Sequence, residues 1–83
     1  MPVIHQGLFL IMRRFPDHKD ALRNMFLQNK SFYTICEDYQ KCESAVKYWG
    51  QSDHETALVR RLEYLEMIKD LEVEIQQRLS GKR

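Results

Sequence analysis

Residues 32–55 read FYTICEDYQKCESAVKYWGQSDHE, and the periodicity inside this stretch decides the fold. Phe32, Tyr39 and Val46 recur every seven residues, and Ile35, Cys42 and Trp49 recur alongside them. Such an alternation of threes and fours is the stripe by which one helix packs on another. Gly50 follows the last stripe residue, where a left-handed C-terminal cap favours glycine. Ser52-Asp53-His54-Glu55 then fits a capping box, with Ser52 as N-cap and Glu55 reaching back. Helix, short reversal and fresh helix start make two antiparallel neighbours.

Downstream, the pattern predicts one helix from about Asp53 to Leu79, a rod of roughly 40 Å. Its apolar residues are Leu58, Leu62, Leu65, Ile68, Leu71, Ile75 and Leu79, flanked by Tyr64, Met67 and Val73. That stripe is wider than one partner helix needs. It fits a helix covered on two sides, by its hairpin partner and by a second subunit. Glu74 and Arg78 add one i,i+4 pair, and Gly81 lies just past the end.

Upstream, Phe15-Pro16-Asp17 reads as a helix start, because proline suits the first turn and Asp17 complements the dipole. Leu22, Met25 and Phe26 share one side of that helix up to about Gln28. Asn29 and Ser31 are both N-cap types, so a break falls there. The first segment, MPVIHQGLFLIM, lacks an early positive charge, meets Arg13-Arg14 where a cleavage site would lie, and is interrupted by Gly7. It is too short to span a bilayer. Residues 1–14 therefore read as an extension outside the fold, or an apolar arm on a neighbouring surface, and residues 15–83 as a single helical-hairpin domain.

Eighty-three residues make one small domain with a marginal core, so self-association is a standing expectation. Thirteen Lys+Arg against twelve Asp+Glu leave a net charge of +1, without the basic excess of a dedicated nucleic-acid binder. Two cysteines in no disulfide-rich pattern suit a reducing, cytoplasmic setting.

Phe15-Pro16, Asp20, Asn29, Phe32, Ile35, Glu37, Tyr39, Glu43 and Val46, with Ile68-Lys69-Asp70 through Ile75 in the last helix, give the chain a layout that resembles the YdcH-like small bacterial proteins. The likeness covers roughly residues 15–79 and consists of helix-start, helix-break and packing signals. It implies a helical hairpin in a bacterial cytoplasm and no particular activity. Lys30 stands where that family usually has proline, and Tyr39 where histidine is common. Relatives begin near the Phe-Pro pair, so the resemblance also implies that Met1 to Ile11 is a non-native or mis-assigned extension.

Chemistry finds little purchase. Cys36 and Cys42 are six apart, which on a helix separates them by about 120° and about 9 Å, beyond the reach of a disulfide. Cys42 lies on the stripe as a small hydrophobe, while Cys36 sits at its edge as the one candidate for redox or metal sensing. His18 and His54 read as solvent-facing in first helical turns, and Leu58 stands where a second zinc ligand after His54 would be. Glu63, Glu66, Asp70, Glu72 and Glu74 interleave with Arg60, Arg61, Lys69 and Arg78 as a solvated face. Gly7, Gly50 and Gly81 are too scattered to form a phosphate loop. No catalytic residue, cofactor or metal site is assigned.

The expectation is an all-α antiparallel hairpin with a short N-terminal helix and coiled-coil-like packing, a homo-oligomer acting as a cytoplasmic, non-enzymatic interaction module. Its packing and interface residues are Phe32, Ile35, Tyr39, Cys42, Val46, Trp49, Leu58, Leu62, Leu65, Ile68, Leu71 and Ile75. Tyr33 and Tyr48, off the stripe, mark a partner surface. The alternative is a nucleic-acid- or ribosome-associated factor using Arg60, Arg61, Lys82 and Arg83. A thiol-based redox or metal sensor is the third reading.

Overall fold

Asn29 divides the chain where its side chain can start a helix. Its backbone is extended (φ −135°, ψ 111°), and its Oδ1 accepts a 3.1 Å hydrogen bond from the Phe32 N–H. The computed structural model describes residues 5–81. It contains α1 (Gln6–Arg14), a 3₁₀ turn (Pro16–His18), α2 (Lys19–Gln28), α3 (Lys30–Gly50) and α4 (Ala57–Leu79). The protein is all-α, with no strand among the described residues. Pro16 opens the 3₁₀ turn, where its missing N–H leaves no bond unmade.

Helix α3 is the axis of the molecule. Phe32, Ile35, Cys36, Tyr39 and Cys42 are buried along it, against Leu8 and Ile11 of α1, Leu22 of α2, and Ile68 and Ile75 of α4. Ser31 meets Arg78, Tyr39 meets Glu72 and Gly50 meets Arg61, so α4 runs opposite to α3.

The reading of residues 1–14 as an extension outside the fold is corrected over α1. Ile11 is fully buried and Leu8 nearly so. Gly7 brings the α1 backbone against α3, where a Cβ would collide with the carbonyl of Cys36. Leu8 and Ile11, three apart on the inner side of α1, supply the apolar contact that glycine's close approach permits. Residues 1–4 of that segment lie outside the described residues.

Two further corrections concern the turn. Gly50 is the last residue of α3 and has no left-handed conformation; Gly81 alone does, at φ 74° just after α4. Gly50 instead leaves room for the Arg61 side chain, whose Nε would lie 3.3 Å from a Cβ. Helix α4 begins at Ala57, not near Asp53. Ser52 Oγ accepts from the His54 N–H at 3.1 Å, a bond two residues on rather than three. His54 Nδ1 then accepts from the Thr56 N–H at 3.2 Å, so the reversal uses residues that the capping box assigned to helix.

Candidate interaction surface

The broad apolar stripe of α4 divides between two environments. Ile68 and Ile75 are buried on α3, and Leu71 and Tyr64 half-buried beside them. Leu58, Leu62 and Leu65 face solvent at 64%, 53% and 37% exposure, and Val59 is exposed with them. At 100° per residue, Leu58, Leu62 and Leu65 fall within about 60° of one another and roughly 100° from the Ile68–Ile75 direction. The leucines thus form a second face, on the half of α4 nearer the turn.

The other half of α4 is held by a polar link between three helices. Tyr39 of α3 donates a 2.8 Å hydrogen bond to Glu72 Oε2, and Arg14 of α1 donates from Nε to the same oxygen at 3.2 Å. Burial pushes the Tyr39 hydroxyl well above its usual pKa, and the hydrogen bond and charge of Glu72 push the same way. Arg78 adds a 2.6 Å bond from Nη2 to Ser31 Oγ, and pairs with Glu74 at 3.2 Å as its spacing predicts. The reading of Glu72 as part of a solvated face is corrected: it is half-buried and accepts from Tyr39 and Arg14, a link the sequence reading does not contain. Glu72 lies four residues after Ile68, at an inward register, and a carboxylate there signals a buried partner.

Of the seam residues predicted on α3, Phe32, Ile35, Tyr39 and Cys42 are buried, and Val46 and Trp49 half-buried. Trp49 packs edge-on against Tyr48 at a 5.0 Å centroid separation, and Tyr48 itself is 65% exposed. Tyr33 stacks with Phe26 and His5, at 5.2 and 5.1 Å.

Cys42 is buried on the stripe as expected, and Cys36 is placed differently. Cys36 is not at an edge: α1 covers it completely, and burial pushes its pKa up to about 12. Cys42 is also buried, and its pKa is raised by burial and then by Asp38 and Glu43. A thiol held protonated is a poor nucleophile, which removes the chemical ground for sensing at Cys36.

His5 and His54 spend a ring nitrogen on backbone: His5 Nδ1 accepts from the Gly7 N–H at 3.0 Å and caps α1. His54 Nδ1 accepts from the Thr56 N–H while the residue stays exposed, as the solvent-facing reading expects. Among the described residues no group of three or more His, Cys, Asp or Glu could hold a metal ion. No helix among them is long and apolar enough to cross a membrane.

Of the basic residues in the nucleic-acid alternative, Arg60 and Arg61 are described. Arg60 pairs with Glu63 at 3.1 Å, while Arg61 lies along Gly50. Lys82 and Arg83 lie outside the described residues.

No protein-family model, curated protein or solved structure matches this chain.

Proposed function

We propose that the chain is a non-enzymatic self-association and interaction module whose docking surface is the leucine face of α4. The observation that carries this reading is the exposure of Leu58, Leu62 and Leu65 at i, i+4, i+7 spacing on a helix already anchored elsewhere. Area supports it. A monomer of 10.0 kDa ordinarily exposes about 5,200 Å². This chain exposes 6389 Å². The excess is at least the ~800 Å² that each partner buries in a standard interface. Shape agrees: the radius of gyration is 13.9 Å, against about 11.8 Å for a compact domain of this length.

The likeness to YdcH-like bacterial proteins belongs to the same proposal, as do the hairpin as the functional unit and a cytoplasmic location. The test is molar mass by light scattering over a concentration series, with wild type and Leu62→Lys. Wild type above the monomer mass and a monomeric variant support the reading. A wild-type monomer at every concentration overturns it.

A further inference from the structure

The leucine face carries information about its occupant. Written as a heptad, Leu62 and Lys69 take the a positions, and Leu58 and Leu65 the d positions. Arg61 then falls at g and Glu66 at e, on opposite flanks of the leucines. Both are exposed, and neither enters an ion pair among the described residues, so both charges are free to meet a partner. The Arg61 side chain lies along Gly50 at the edge of the leucine face.

In a parallel helix pair, a g residue faces the e residue five positions later on the other strand, and 61 to 66 is that offset. In an antiparallel pair g faces g and e faces e. Arg61 of one copy would then lie opposite the Ile68 flank of the other, and neither charge would find its opposite. Lys69 ends the seam after three leucines, because a lysine at an a position opposes further burial. Contact is thereby confined to the turn-proximal half of α4, where the leucines are bare.

Building on the self-association reading, we propose that a second copy of this chain occupies the leucine face with its α4 parallel and in register. Leu58, Leu62 and Leu65 then each meet their own counterpart, and Arg61 of each protomer pairs with Glu66 of the other. Every α4 keeps its own α3, since the seam lies roughly 100° from the Ile68–Ile75 side.

Two measurements test this in the full chain. Leu62→Cys, oxidised with glutathione disulfide, should cross-link to itself as a covalent dimer, because a faces a only in the parallel arrangement; Cys36 and Cys42 are buried and stay silent. A wild-type dimer in which Leu62→Cys cross-links only when mixed with Leu65→Cys overturns the parallel pairing and leaves self-association standing. A wild-type monomer overturns both. Glu66→Arg should weaken the dimer about tenfold, and adding Arg61→Glu to the same chain should restore it. An unchanged dissociation constant in Glu66→Arg overturns the charge pairing.

Discussion

Tyr39 and Arg14 both donate to one carboxylate oxygen, Glu72 Oε2, at 2.8 and 3.2 Å. Three helices thereby converge on one polar atom at the border of an otherwise apolar core. Glu72 retains 21% side-chain exposure, so Arg14 acts across a partly wet contact and the buried tyrosine carries the larger share.

Tyr39→Phe keeps the ring packing and deletes only the hydroxyl. The expected cost is about 1.5–3 kcal/mol, the range for a hydrogen bond to a charged group. Each kcal/mol corresponds to about 4–8 °C in a chain of this size. Arg14→Ala should cost less, because its guanidinium is exposed. Thermal melts of both variants decide the order, and equal losses contradict the assignment.

Cys36 makes stability fall with alkaline pH. Its pKa rises from 9.0 to about 12 on folding, so between those values the unfolded chain loses a proton that the folded chain keeps. The folded state is then the one with more bound protons, and stability declines by up to about 1.4 kcal/mol per pH unit. Below pH 9 both states are protonated and the effect vanishes. Cys42 and, above pH 10, Tyr39 add slopes of the same sign. Urea titrations from pH 8 to 11 should show a shallower decline for Cys36→Ala than for wild type. Parallel declines would place the thiol in solvent.

What was legible in the sequence followed from local rules. The stripe Phe32, Ile35, Tyr39 and Cys42 is buried because a three-four alternation admits only one inward face on a helix. Asn29 caps as its side chain dictates. The turn is not legible in the same way, because Ser52, His54 and Thr56 all offer short-range bonds and composition does not say which form. Gly7 reads in the sequence as an interruption of the first segment, although Leu8, Ile11, Met12 and Phe15 keep the helical spacing of α1. A glycine reads as a helix breaker or as a close-contact point only once its neighbour across the crossing is known. Cys36 reads as an edge residue for the same reason, since the sequence does not show that α1 lies over it.

Asn29→Ala removes the side-chain acceptor for the Phe32 N–H while leaving the chain's extended geometry available. A loss of about 1 kcal/mol is expected, and only a few tenths for Asn29→Gly. Asn29→Asp should retain most of the stability, because a carboxylate accepts the same bond and suits the positive end of α3. Chemical denaturation of the three variants should rank them Asp, Gly, Ala from most to least stable. A neutral alanine would mean that α3 starts without its cap.

Gly7→Ala tests whether α1 belongs to the core. The added methyl would meet the backbone carbonyl of Cys36, which is fixed by α3's own hydrogen bonds and cannot swing aside as a side chain would. The helices must then separate, and the loss falls on the contacts of Leu8 and Ile11 as well as on the Arg14–Glu72 pair. A cost of about 1–3 kcal/mol is expected from overpacking of this kind. In solution a methyl added to an isolated helix does the opposite, since alanine is the better helix former by about 1 kcal/mol. The sign of the change therefore separates the two situations. Hydrogen exchange on residues 6–14 supplies the local readout: in Gly7→Ala these amides should lose protection while those of α3 facing α4 keep theirs. A more stable variant with unaltered exchange would place α1 away from α3.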